Sequence, residues 1–254
     1  MYFLRGDQLS DVGYDKGLRL WYFVVNGFFI WSTGPGWIAS LHYLHQRLTY
    51  YFCFYYLPKE GDVVIDIGAG IGEEVLSLSN LVGKHGKILA IEATPRISKA
   101  LLLLKEKNSL DNTTVINAAI NNLDEKIRVE DDIEGYVANT VSNRNSHTSL
   151  AIDGITFDSL IKKEKIKRID FLKVNIEGAE QLLIQGMRDS IVLVRNLAIS
   201  CHDFRFLKGE SEFYRTKDIV TKFLIERDFE INQRSTGDTL VDHIVYARNK
   251  KLQG

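Results

Sequence analysis

From Val63 to Ala247 the chain alternates short apolar runs with amphipathic stripes. Val63–Ile67, Lys87–Glu92, Val115–Ile120, Ile169–Val174 and Ile191–Ser200 are β-branched and apolar, with the length and flanking turn residues of buried strands. Between them lie helical patterns. Glu73 to Val82 sets Val75, Leu76, Leu78 and Leu81 on one stripe, and Pro95 to Leu110 predicts a second helix whose proline suits a first turn. A third helix follows Val174 and runs through Met187, and a fourth covers about Phe213 to Arg227. Phe229–Ile231 and His243–Ala247 close the chain as strands. Strands that alternate with helices form a mostly parallel sheet covered on both faces, and such doubly wound α/β sheets bind ligands beyond their carboxyl strand ends.

The first sixty residues follow another pattern. Trp21–Val25 and Phe28–Trp31 flank Asn26-Gly27, the strongest short-range hairpin signal because both turn residues tolerate positive φ. Trp37 to Tyr56 reads as a helix with Leu41, Leu44, Leu48 and Tyr51/Phe52 at helical spacing, ended by Pro58 and Gly61. This divides the chain into an extension over 1–58, a candidate lid on an acceptor pocket, and a main domain over 59–250. No charge falls between Arg19 and His42, long enough to cross a bilayer, but Asn26, Gly27 and Gly34-Pro35-Gly36 interrupt it. Membrane association through residues 20–41 is therefore the lesser reading, and the charges of Met1 to Leu20 do not fit a signal peptide.

Composition narrows the class. With 45% hydrophobic and 26% charged residues, the 254-residue chain is a folding sequence. A formal charge of −1 argues against a nucleic-acid partner, which needs a clustered cationic excess. Two cysteines make no disulfide framework, so a reducing, cytoplasmic setting is expected. His42 and His45 share a helix without a third ligand nearby, and no metal is expected.

The loop after the first main-domain strand, Asp66-Ile67-Gly68-Ala69-Gly70-Ile71-Gly72, opens a helix. A nicotinamide loop would read G-x-G-x-x-G, but the third position holds Glu73 counted from Gly68 and Val75 counted from Gly70. Glu73 and Glu74 at the helix start would also repel a pyrophosphate. A cationic ligand without phosphate fits better, and Glu92, ending the second strand, can accept hydrogen bonds from a ribose diol. S-adenosyl-L-methionine has both features.

The loop and the acid ending the next strand resemble those of class I S-adenosylmethionine-dependent methyltransferases. Ile169-Asp170-Phe171-Leu172-Lys173-Val174-Asn175-Ile176-Glu177-Gly178-Ala179-Glu180 further resembles the I-D-x-[LI]-K-[IV]-D-[VI]-E-G-[AF]-E signature of the FkbM family. Gly61–Val64, Ile155–Leu160 and a histidine ending the fifth strand fall in family order, and the resemblance spans about Lys59 to Asn249. It implies a seven-stranded Rossmann-like methyltransferase fold and O-methylation of a small-molecule or glycan hydroxyl. One position departs: Asn175 stands where the family pattern has Asp, so it can hydrogen-bond but holds no negative charge.

Site residues follow from these placements. Asp66, Gly68, Gly70 and Gly72 are expected around the aminoacid and sulfur portion of the cofactor, and Glu92 on its ribose. Ala93, Asn117, Ala118 and Ala119 fall near the adenine. His202 is the expected base because its unperturbed titration lies near neutrality. Glu177 or Asp158 would orient it or bind the acceptor, and Asn175 would position acceptor or methionine portion. A loop histidine, a first-turn acid and a helix N-cap are the plain structural roles open to His202, Glu177 and Asp158. Two rivals remain: a cofactor-binding protein without transferase activity, suggested by Asn175, and an NAD-dependent oxidoreductase on the same fold.

Overall fold

A computed structural model describes residues 6–130 and 149–252. The polar stretch Asn139–Ser149, expected as a loop, lies outside them except for its last residue. The chain opens with a meander, β1 (Leu9–Asp15), β2 (Leu20–Val25) and β3 (Phe28–Ser32), in which β2 and β3 form the expected hairpin about Asn26-Gly27. Asn26 and Gly27 both take positive φ, as a two-residue hairpin turn requires. β1 was not anticipated: its residues are mostly exposed, and its strand form comes from antiparallel pairing with β2.

α1 (Leu41–Tyr51) is shorter than its apolar spacing suggested. The Ser40 hydroxyl accepts from the Tyr43 amide and sets the start. Beyond the helix, Tyr56 hydrogen-bonds Asp62 at 2.6 Å and Tyr55 packs on Tyr246, contacts that draw the chain out of the helical path. Next come β4 (Val63–Ile67), α2 (Glu73–Val82), β5 (Lys87–Glu92), α3 (Pro95–Lys107) and β6 (Thr113–Asn117), with β7 (Ala119–Ile120) just beyond. The expected third strand is thus two. Asn117 turns its amide back onto the carbonyls of Glu92 and Ala93, and β7 joins a separate sheet with β8 (Glu125–Glu130) and β9 (Ser149–Ile155).

α4 (Phe157–Lys163), β10 (Ile169–Asn175), α5 (Glu180–Gly186), β11 (Val194–Ser200) and α6 (Asp203–Leu207) continue the alternation. A 3₁₀ turn over Ser190–Leu193 takes the first residues assigned to the fifth strand. α7 (Lys217–Ile225), β12 (Phe229–Asn232), α8 (Thr239–Asp242) and β13 (Ile244–Asn249) complete the fold.

The main sheet has seven strands in the order β12-β13-β11-β10-β4-β5-β6. All neighbours are parallel except β13, which runs antiparallel to both β11 and β12. The strand order reverses at β4, between β10 and β5, so a crevice opens at their carboxyl ends. On one face, hairpin residues Phe29, Ile30 and Trp31 share a core with Leu44 and Leu48 of α1, Leu76 of α2 and Leu101 of α3. Trp31 donates its indole N–H to the Ala100 carbonyl at 2.7 Å, which satisfies the polar atom of a buried ring. The extension is therefore packed onto the sheet. Residues 20–41 are largely strands and turns of it, and no helix among the described residues is long and apolar enough to cross a membrane.

Candidate active site

A cavity of about 480 Å³ lies at the reversal point, within the usual range for small-molecule and cofactor sites. The glycine loop forms its floor. Gly68 takes φ +75, and a Cβ there would stand 1.9 Å from the Asn175 carbonyl oxygen, so the loop closes on β10 only with glycine. A Cβ on Gly70 would meet no protein atom within 4 Å, which leaves that part of the loop open for a ligand. Gly72 is not on the cavity wall; it faces Leu101 and Leu104 and seats α2 against α3.

Glu92 reaches the cavity from the end of β5. Its two carboxylate oxygens accept the amides of Gly70 at 3.0 Å and Thr94 at 2.8 Å, so the acid braces the loop and keeps lone pairs for a further donor. Burial raises its pKa against those backbone bonds. Ala93, Ala118, Ala119, Ile97 and Val129 form an apolar side wall. Asn117 lies behind it, supporting the Glu92 and Ala93 carbonyls.

Asp66 is behind the loop as well, fully buried and 2.8 Å from the Lys173 ammonium of β10. Burial pushes its carboxyl up to about 6 although Lys173 pulls the other way. Burial would lower Lys173, but Asp66 and Glu74 hold its pKa above the ordinary value. Lys173 also donates to the Gly68 carbonyl at 3.0 Å. The buried pair thus ties β4 to β10 and fixes the glycine loop. Asp66 acts on the ligand site only through that loop, whereas Lys173, not singled out from the sequence, lines the cavity itself.

Asn175, Ile176 and Glu177 supply the wall at the end of β10. Glu177 takes φ +52, an uncommon conformation for a residue with a Cβ. Its carboxylate faces His202 Nε2 at 3.3 Å and Arg205 at 3.5 Å. His202 lies behind it, off the cavity wall. Its Nδ1 is 2.7 Å from Glu180, whose carboxylate also accepts from the Gly178 amide and the Thr216 hydroxyl. Burial lowers the His202 pKa, but the two carboxylates outweigh it and push the value up to about 10. A protonated imidazole has no lone pair, so this arrangement does not provide the expected base. Asp158 is remote from the cavity: its carboxylate accepts the amides of Arg188, Asp189 and Ser190, while the Thr156 hydroxyl caps α4.

The remaining wall comes from the segment expected as a lid and from the start of α2. Thr33, Trp37 and Arg47 of the N-terminal region line the cavity together with Glu73 and Glu74 at the start of α2. Arg47 lies 3.5 Å from Glu73 and 5.7 Å from the ring centres of both Trp37 and Tyr51.

A doubly wound sheet, a glycine loop after its first parallel strand and an acid ending the next are features that class I methyltransferases share. The chain matches the methyltransferase FkbM domain over residues 66–231 and belongs to that family. Its methyl donor is S-adenosylmethionine, and the open Gly70, the bracing Glu92 and the acidic start of α2 suit a ribose and a cationic aminoacid–sulfonium group. Among solved structures, a methyltransferase FkbM from Methylobacillus flagellatus KT is 22% identical, covering 82% of this chain and 50% of that one with a TM-score of 0.54. An O-methyltransferase from Bacillus cereus in complex with SAH is 14% identical over 85% of this chain and 84% of that one, with a TM-score of 0.52. Protein-L-isoaspartate O-methyltransferase 2 of Archaeoglobus fulgidus is 33% identical over 58 residues, 23% of this chain and 26% of that protein. The chain thus spans about a quarter of that curated relative.

Proposed function

We propose that this methyltransferase transfers a methyl group to a hydroxyl of a sugar, glycan or other small natural product. The observation that carries the reading is the composition of the cavity wall beside the glycine loop. Trp37 lines the cavity with an aromatic ring, and Glu73, Glu74, Glu177 and Asn175 line it with carboxylate and amide groups that can hydrogen-bond a polyhydroxylated acceptor. When bound, the cofactor supplies an already activated methyl group, so the protein has to align the acceptor and remove a proton. Gly68 and Gly70 would hold the aminoacid portion and Glu92 the ribose diol. The apolar wall of Ala93, Ala118 and Ala119 would take the base. Asn175 would orient acceptor or methionine portion through its amide. His202, as an imidazolium between Glu177 and Glu180, is a positioning residue that holds Glu177 at the cavity. The segment over 1–58 completes the acceptor side as a fixed wall.

Thermal melts with S-adenosylhomocysteine, S-adenosylmethionine and NAD, followed by an acceptor panel, test this reading. Saturation at a hundred times Kd should add about 2.7 kcal/mol, roughly 5–11 °C for a chain of this size. The first two should shift the melt and NAD should not. Methyl transfer to hydroxyl acceptors should follow. Cofactor binding with no transfer across the panel would instead favour a binding protein, the reading that Asn175 supports.

A further inference from the structure

We propose that Glu73 is the base that accepts the proton of the attacking hydroxyl, and that Arg47 is the residue that positions it. The proposal rests on the hydroxyl-methylating reading above. In the step, the acceptor oxygen bonds to the transferred methyl carbon and the carbon–sulfur electron pair stays on sulfur. The sulfonium becomes a neutral thioether, and the hydroxyl proton moves to the Glu73 carboxylate.

Glu92, Glu177 and Lys173 on the cavity are each held by two groups, where Glu73 pairs with the single cation Arg47. Glu92 uses both oxygens on backbone amides, and Glu177 faces the His202 and Arg205 cations. Lys173 is committed to Asp66 and the Gly68 carbonyl. Glu73 and Glu74 remain, both on the cavity wall. The charge of Glu74 bears on the buried Asp66–Lys173 pair, behind the glycine loop. Glu73 meets Arg47, a residue outside the matched methyltransferase domain, on the wall that α1 and Trp37 add to the cavity. Its side chain keeps 22% exposure, so it can still be reached.

The groups bearing on Glu73 set its proton affinity in the useful range. Burial and Glu74 on its own helix push its carboxyl up to about 7, against Arg47 of α1 and Lys173 of β10. A base works best when its pKa lies near the operating pH. Arg47 adjusts this value while being stacked on two rings, which fixes the carboxylate that it pairs with.

The test uses the full chain with Glu73→Gln, Arg47→Gln and Glu74→Gln. Carbon-13 NMR of glutamate-labelled protein, assigned by difference from Glu73→Gln, should show Glu73 titrating near pH 7. In Arg47→Gln the titration should move up by about one unit or more, because a neighbouring cation has been removed. With a hydroxyl acceptor, Glu73→Gln should lower kcat by about 100-fold or more, while calorimetry shows S-adenosylhomocysteine binding within about threefold of wild type. The acid limb of the wild-type rate profile should track the NMR titration. A Glu73 ionised throughout pH 5–9, an unchanged kcat in Glu73→Gln, or a cofactor affinity that falls in step with kcat would each overturn the assignment. If Glu74→Gln alone loses turnover, the base is Glu74. A wild type that methylates no hydroxyl acceptor overturns the underlying reading and this one with it; a wild type that does so as fast as Glu73→Gln overturns only the base.

Discussion

The Nδ1 of His202 lies 2.7 Å from Oε1 of Glu180, and neither side chain has more than 3% exposure. The Glu180 carboxylate is otherwise satisfied by the Gly178 amide and the Thr216 hydroxyl. A buried carboxylate so bonded needs a cation, and the imidazolium supplies it. The same ring then reaches Glu177 with its second nitrogen, linking the interior to the cavity wall.

His202 should make stability depend on alkaline pH. Its folded-state value of about 10 stands above the ordinary 6.5, so its contribution is complete below about pH 6.5 and is lost as pH rises through 10. Denaturant midpoints at pH 6, 8 and 10 should fall more steeply for wild type than for His202→Gln. At pH 6 that variant should be less stable by about 3–5 kcal/mol, because Glu180 is left buried without its partner.

Lys173→Met removes the cation beside a fully buried Asp66 and should cost about 3–5 kcal/mol. Adding Asp66→Asn should recover much of that loss, since the charge that needed compensation has gone. Urea unfolding of both single variants and the double variant measures the coupling; simple additivity would mean that the pair does not hold β4 to β10.

Gly68→Ala and Gly70→Ala should separate folding from binding. The first drives a methyl into the Asn175 carbonyl and should destabilise by about 3 kcal/mol or more. The second meets open space and should cost about 1–2 kcal/mol, the penalty of a left-handed backbone. It should nevertheless weaken S-adenosylhomocysteine binding in calorimetry, because the new methyl occupies the ligand's side of the loop.

Asn108 should prove to be the fastener of the hairpin. Its carboxamide accepts from the Phe29 amide at 2.9 Å and donates to the Phe29 carbonyl at 2.8 Å, acting as a substitute strand at the end of α3. Asn108→Ala leaves both groups unpaired and should lower stability by about 1–3 kcal/mol. Hydrogen exchange should show faster exchange across residues 20–32 than in the main sheet.

The parallel strands were legible because strands buried on both faces read as mostly apolar runs, as Val63–Ile67 and Ile169–Asn175 do around Asp66, Asp170 and Lys173. The hairpin was legible from one dipeptide. The small sheet of β7, β8 and β9 was not foreseen, although Ile127 and Val129 alternate with Lys126 and Arg128 as a half-buried strand should. Asp158 illustrates another limit. An acid at a helix start suggests a cap or an orienting group, yet Thr156 takes the cap and Asp158 turns to amides 30 residues further on.

Local pattern determined the alternation of strands and helices in the main sheet, the glycine loop, the acid at the end of β5 and the methyltransferase family, because each depends on neighbours within a few residues. The tertiary structure decided the roles within the site. Whether a carboxylate faces a ligand or a cation depends on residues brought together from distant parts of the chain: Asp66 with Lys173, His202 with Glu177 and Glu180, Arg47 with Glu73. Charge interactions act through space and their strength is set by burial, and neither quantity exists until the sheet has closed.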